Sequence, residues 1–235
     1  MAATSLSEFV ANNYHIVYPV QHRLEETHIF LLCEHHESEG HRKTNALFID
    51  TFADPGSPVL VEAEKTGVQI DQKTNIQSAY LSRKFNVFGW DKSRVSEMVA
   101  KTPEMVQKIE EIRQWEISLA LKKAGMEKTG KYSLSEIQEE SGKLQRESFA
   151  FYRENDLLLP MFQYMNDQGV FLERNQGMIK TIAQFSGTGK KPAFLISGLS
   201  HLVPKASYST FFPIEYADPQ LDGINVTVLH PREST

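Results

Sequence analysis

Cysteine is nearly absent from this chain, which has one, Cys33, among 235 residues. A single cysteine excludes an internal disulfide framework and any zinc site built from several thiolates. Long apolar runs are also missing: no stretch approaches the roughly 20 apolar residues that a membrane-spanning helix needs, so we expect no membrane span. A strong excess of one charge is absent as well, because 25 Lys and Arg face 30 Asp and Glu. The net charge of −5 gives no indication of nucleic acid as a partner.

The overall composition is that of an ordinary globular protein, with 40% hydrophobic and 23% charged residues. The length favours one domain over residues 1–235. The first 13 residues have neither a basic segment nor an apolar core, so they do not resemble a secretory signal. Together with the single thiol, this favours the cytoplasm. A secreted effector or toxin domain that lacks its signal peptide is the alternative.

Short apolar runs alternate with segments of helical periodicity, which predicts an α/β fold. The central sheet is expected to be largely parallel or mixed and flanked by helices. Four runs are continuous, as in strands buried on both faces, whereas the fifth alternates with polar residues and is expected at an edge of the sheet. The predicted strands cover 29–33, 59–61, 85–90, 193–196 and 224–229.

Helices are predicted on both sides of these strands. Residues 93–170 contain more helix than crossovers between strands require, so we expect a helical insertion that caps one end of the sheet. A further helix is predicted over 175–185, with Asn175 as its candidate N-cap. The remaining predicted helices cover 5–12, 42–52, 135–151 and 157–165.

Ionisable residues follow four of the predicted strands. In an open parallel sheet the carboxyl ends of the strands lie along one edge, and ligands bind in the crevice there. Residues more than 160 positions apart would then meet in a single site rich in His and Glu. The groups that follow the strands are Glu34-His35-His36, Glu62-Ala63-Glu64, Asp91 and Ser200-His201.

Two familiar motifs are only approximated. His36 and His41 stand five residues apart, so on a helix they would diverge by about 140° and could not share a metal ion from one face. The segment 187–190, Gly-Thr-Gly-Lys, lacks the following Ser or Thr of a phosphate-binding loop. A Gly-x-Ser-x-Gly nucleophile elbow is absent, which argues against an ordinary serine hydrolase.

Five segments, taken in order, resemble the Tiki superfamily, which joins Tiki proteases, TraB proteins, erythromycin esterases and ChaN-type haem-binding lipoproteins. The first resembles the strand that leads into the superfamily's Gly-x-x-His motif, with Cys33 at the usual Gly position. The last resembles its closing strand with a second Gly-x-x-His. The segments are Phe30–His36 with His41-Arg42, Val59–Glu62, Phe88–Asp91, Glu173–Asn175 and Phe194–His201.

The resemblance implies a hydrolase of ester or amide bonds that acts on a small molecule or a peptide. In the protease branch a divalent metal, Zn²⁺ or Mn²⁺, would be held by His36, His201 and Glu62, with Glu34 as the alternative carboxylate. In the esterase branch His36 would be the general base, supported by Glu62, His201 and Arg174. The candidate substrate-binding residues are Glu64, Asp91, His41 and Asn175.

Other interpretations remain open at this point. The superfamily includes a haem-binding branch, so a ligand-binding module without catalysis is one alternative, and a toxin or effector domain of the same fold is another. Glu34 could instead bind backbone amides at the start of the following helix. Arg174 could instead be the buried ion-pair partner of Glu62 or Asp91.

Overall fold

The computed structural model describes residues 4–17, 22–35, 38–82, 84–91, 100–165, 167–186, 192–203 and 214–232. Its centre is a mixed, mostly parallel sheet, as the sequence predicts. The sheet has six strands, one more than predicted, in the order β1-β6-β2-β5-β3-β4. β1 is antiparallel to β6, and every other neighbouring pair is parallel. The strands are β1 (Tyr14–Ile16), β2 (Ile29–Glu34), β3 (Pro58–Thr66), β4 (Asn86–Gly89), β5 (Ala193–Gly198) and β6 (Val226–Pro231).

Seven α-helices lie within the described residues. The helix predicted from residue 42 begins earlier, at Glu39, because the Ser38 side chain accepts a hydrogen bond from the His41 N–H and caps it. The helices are α1 (Leu6–Asn13), α2 (Glu39–Phe52), α3 (Pro103–Thr129), α4 (Leu134–Glu154), α5 (Leu158–Met165), α6 (Gln168–Ser186) and α7 (Leu199–Leu202). No helix among these is long and apolar enough to cross a bilayer.

Three predictions about individual elements are wrong. β6 is not an edge strand, because β1 pairs along its outer side. The sequence does not predict β1, since its three residues are too few to produce a recognisable periodicity. β3 continues to Thr66, so Glu62 and Glu64 lie within the strand rather than after it. α6 starts at Gln168, so Asn175 lies in the middle of that helix and does not cap it.

The sheet separates two apolar cores, because alternate residues of each strand face opposite sides. On one side Phe30, Leu32 and Val61 pack against α1 and α2. On the other side Leu31 and Leu60 belong to a core that includes three residues of α6, Met178, Ile179 and Ile182. This division places α2 and α6 on opposite faces, and both helices begin or pass near the carboxyl edge of the sheet.

The helical insertion begins with a pair of long helices, α3 and α4. Four apolar residues, Ile112, Leu119, Ile137 and Leu144, form the core between them. The Lys122 ammonium lies 2.7 Å from a Glu140 carboxylate oxygen and joins the two helices. α4 begins with a capping box in which Ser133 and Glu136 exchange hydrogen bonds.

Phe48 provides a test of the first core. Its fully buried ring contacts the rings of Phe9, Phe30 and Phe194, among others. Phe48→Ala should therefore lower the free energy of unfolding by about 3–5 kcal/mol, through lost burial and a cavity. Phe149→Ala, at an exposed phenylalanine, is the matched control and should change it by less than about 0.5 kcal/mol. Denaturant titration of both variants measures the difference, and equal effects would contradict this account of the core.

Candidate active site

The backbone hydrogen bonds between β3 and β5 stop before either strand ends. The last paired residues are Leu60 and Leu195, although both strands continue toward the carboxyl edge. Asp91 N–H donates to Ala63 C=O on the β4 side of β3. Because backbone groups of successive residues point to opposite neighbours, the N–H and C=O of Glu62 face β5.

A regular parallel ladder would next join Glu62 N–H to Ile196 C=O and Gly198 N–H to Glu62 C=O. Neither bond forms. Glu62 N–H instead donates to Oε1 of Gln77 at 2.6 Å, and Nδ2 of Asn75 donates to Glu62 C=O at 3.4 Å. Two carboxamides from the segment after β3 therefore satisfy the backbone of Glu62.

Side chains also satisfy the two groups released on β5. The Trp90 indole N–H donates to Ile196 C=O at 2.9 Å, and Gly198 N–H donates to Oε2 of Glu62 at 3.2 Å. Four side chains thus replace two backbone hydrogen bonds. As a result, the N–H and C=O of Glu62, the C=O of Ile196 and the N–H of Gly198 all have a partner. We call this place, bounded by Glu62 on β3 and by Ile196 and Gly198 on β5, the β3–β5 gap.

Arg174 of α6 joins the ends of β3 and β4. Its Nε and Nη2 donate to the two carboxylate oxygens of Asp91 at 3.1 and 2.8 Å, and Nη2 also donates to Oε1 of Glu62. The side chains are 16% exposed for Arg174, 14% for Glu62 and 6% for Asp91. Burial alone would lower the pKa of the guanidinium, but the hydrogen bonds and charges of both carboxylates raise that pKa above its ordinary value. Arg174 therefore has the ion-pair role considered for it from the sequence.

The third nitrogen of this guanidinium, Nη1, makes no hydrogen bond within the described part of the chain. Since an arginine carries five N–H donors in a rigid plane, the bonds to Asp91 and Glu62 fix where the Nη1 donors lie. Arg174 thus combines a locked orientation with two donors that a bound molecule can use.

His201 lies on α7, directly after β5. Its Nδ1 is 2.6 Å from Oδ1 of Asn175. A carboxamide oxygen can only accept, so Nδ1 carries the proton, and in the neutral ring Nε2 carries the lone pair. The imidazole stacks on Phe171 with ring centroids 4.3 Å apart, meets Trp90 edge-on, and is 2% exposed. These contacts fix the tautomer and the orientation of the ring.

The remaining predicted site residues lie at the same edge or outside the described residues. Glu34 is buried at the end of β2, opposite Gly198 in the register of β2 and β5. His41 is buried at the start of α2, where its Nδ1 accepts a hydrogen bond from the backbone N–H of His35. His36 lies outside the described residues, and so does the side chain of Glu64, whose backbone belongs to β3.

Several residues of this site have no signal in the sequence. Gln77 and Asn75 stand in an irregular segment, and Phe171 looks like any apolar residue of a helix. Tyr164 of α5 is a further neighbour: burial raises the pKa of its phenol, the charge of Asp91 raises it further, and the charge of Arg174 opposes this. Of the contacts in this site, the acidic residues at the strand ends indicate only the ion pairs of Arg174.

A metal ion was predicted on His36, His201 and Glu62. Among the residues that the structure describes, no three His, Cys, Asp or Glu side chains are placed to hold an ion together. The two Glu62 oxygens contact Arg174 and Gly198 N–H, so the positive charge beside this carboxylate comes from the guanidinium. The described residues therefore do not fit a metal ion, and with His36 outside them the metal site stays a prediction.

No protein-family model, curated protein or solved structure matches this chain. The resemblance to the Tiki superfamily accordingly stays a prediction from the five sequence segments.

The ion-pair cluster can be tested through stability. Arg174→Met removes the guanidinium that binds the buried carboxylates of Asp91 and Glu62, so we expect a loss of about 3–5 kcal/mol in unfolding free energy. Adding Glu62→Gln and Asp91→Asn to the same chain removes those charges and should restore part of the loss. Denaturant titration compares the variants.

The matched control is Lys180→Met, which removes an exposed cation from the same helix and should be nearly neutral. If Arg174→Met were as mild as Lys180→Met, the cluster would not contribute to stability in the way described.

Proposed function

We propose that this chain is a hydrolase of ester or amide bonds whose reaction takes place at the carboxyl edge of the sheet, beside the β3–β5 gap. The observation that carries the proposal is that two consecutive residues of α6 hold an oriented imidazole and an anchored guanidinium at this edge of the sheet. His201 is held by Asn175, and the adjacent residue on α6 is Arg174. An imidazole can accept a proton from water, and a guanidinium can stabilise an oxyanion, which are the two needs of acyl hydrolysis.

His201 is the proton acceptor in this proposal. Asn175 keeps the proton on Nδ1, so the Nε2 lone pair can take a proton from a water molecule as the water oxygen bonds to the carbonyl carbon. The same Nε2–H then protonates the leaving oxygen or nitrogen as its bond to carbon breaks, and an acid and an alcohol or amine are released.

Arg174 stabilises the negative charge that forms on the acyl oxygen. Asp91 and Glu62 occupy Nε and Nη2, so Nη1 remains as the donor to the substrate. The two carboxylates hold the guanidinium in place before the substrate binds, and such preorganisation makes an electrostatic contact effective in catalysis. They also leave the cluster with one net negative charge, which favours a neutral acyl group over an anionic one.

The other predictions for this site remain as alternatives. His36 stays a candidate base, and Glu34, His41 and Glu64 stay candidate residues for catalysis or substrate binding. A metal-dependent hydrolase with Zn²⁺ or Mn²⁺, a haem-binding module and a toxin or effector domain are alternatives that the following experiment separates.

The proposal predicts hydrolysis of simple esters or amides by the purified chain. With p-nitrophenyl acetate and an acetyl p-nitroanilide as probes, His201→Gln should lower kcat on the order of 10²–10⁴-fold, because it removes the proton acceptor. Asn175→Ala should lower kcat as well, since the ring loses its fixed tautomer. Steady-state kinetics with wild type, both variants and His36→Ala measure these effects.

The matched control is His28→Gln, the same substitution at an exposed histidine before β2, at the opposite edge of the sheet. It should keep wild-type rates. Equal rates in wild type and His201→Gln would remove His201 as the base. Activity that EDTA abolishes and Zn²⁺ or Mn²⁺ restores would favour the metal-dependent version. A Soret band after haem titration, without hydrolysis of any probe, would favour the haem-binding module.

A further inference from the structure

Gln77 has a donor that the fold does not use. It is 2% exposed, and its Oε1 accepts the hydrogen bond from Glu62 N–H. Its Nε2 is buried and makes no hydrogen bond within the described part of the chain. A primary carboxamide carries two N–H donors on that nitrogen, and burying a donor without a partner costs about 1–3 kcal/mol.

Asn75 shows that the fold can satisfy a carboxamide at this place. Its Nδ2 donates to Glu62 C=O and its Oδ1 accepts from Ser78 N–H, so both ends of the group are used. Gln77 performs the same kind of task for the backbone of Glu62 with its oxygen alone. The contrast identifies Nε2 of Gln77 as a group that the local structure positions but does not satisfy.

The position of Gln77 relates this donor to the proposed reaction. Gln77 binds the backbone of Glu62 on the side that faces β5, whereas Arg174 binds the carboxylate of the same residue. Two sets of N–H donors, Nε2 of Gln77 and Nη1 of Arg174, therefore flank Glu62 at the β3–β5 gap. Hydrolases commonly bind the oxygen of an acyl group with two N–H donors.

We propose that Gln77 is a substrate-binding residue, and that its Nε2 donates a hydrogen bond to the acyl oxygen of the substrate alongside Nη1 of Arg174. The inference rests on the proposed function and deepens it, because it names the acyl oxygen of a neutral ester or amide as the group bound in the β3–β5 gap. The bond is non-covalent, and it shortens as negative charge forms on that oxygen.

Gln77→Glu tests the donor selectively. The glutamate keeps an oxygen that can accept from Glu62 N–H but replaces the N–H₂ group with a second acceptor. With p-nitrophenyl acetate, kcat should fall on the order of 10²-fold and KM should change much less, as when one oxyanion donor is lost. The matched control, Gln138→Glu, makes the same change at an exposed position of α4 and should keep wild-type kcat.

A direct observation of the wild-type side chain keeps the test independent of folding in the variant. Gln77→Glu, or Gln77→Met where that variant does not fold, assigns the Nε2 signals in a ¹⁵N–¹H spectrum by their disappearance. Titration with methyl methylphosphonate, a tetrahedral anion that resembles the reaction intermediate, should shift those signals with the same saturation curve as its inhibition of hydrolysis.

The outcomes separate this inference from the proposed function. Wild-type hydrolysis with unshifted Gln77 signals and an unchanged kcat in Gln77→Glu would overturn the role of Gln77 and leave the hydrolase intact. If wild type hydrolyses no probe, the proposed function fails and the titration alone decides about Gln77. A saturable shift of its Nε2 signals would then support binding of an acyl-type oxygen, and unshifted signals would overturn it.

Discussion

The replacement of two backbone hydrogen bonds by four side chains at the β3–β5 gap is the constraint on which the rest of the site depends. A parallel sheet that continued its ladder would bury the N–H and C=O of Glu62 against β5 and leave no room for a ligand between the strands. Here Gln77, Asn75, Trp90 and the carboxylate of Glu62 satisfy the released groups, so the strands separate without an unpaired backbone. Ligands of open α/β sheets bind where neighbouring strands lead to opposite faces, and β3 and β5 are such a pair.

The ion-pair cluster of Arg174, Asp91 and Glu62 contributes a fixed orientation to the site. Buried ion pairs are weak evidence for stability, because desolvation offsets much of the attraction between the charges. Their geometry is nevertheless specific, since a guanidinium bound by two carboxylates has only one orientation. Arg174 connects α6 to the ends of β3 and β4, so the imidazole held by Asn175 is placed relative to Glu62 by the same helix. One helix thus positions both groups that the proposed reaction uses.

The sequence predicts the layers of this fold better than the details of its site. Continuous apolar runs identify β2 and β5 because strands buried on both faces need such residues, and polar residues after them point to the carboxyl edge. The same reasoning misses β1, because its three residues have no measurable period. It also wrongly predicts Asn175 as a helix N-cap, because asparagine near a helix start commonly has that role. The β3–β5 gap could not be predicted, because it depends on the register of two strands whose paired residues are more than 130 positions apart. The role of Gln77, which binds the backbone of Glu62, can be recognised only when that register is known.

The contact between Trp90 and His201 has a spectroscopic consequence. The chain has two tryptophans, and the second, Trp115, belongs to α3, where its indole donates to Glu140 of α4. Trp90 emits from inside the site, with its ring against an imidazole and its N–H on Ile196. Replacing Trp115 with phenylalanine would leave a chain whose intrinsic fluorescence comes from Trp90 alone. Its emission would then report the entry of any molecule that displaces the His201 ring, without an added dye.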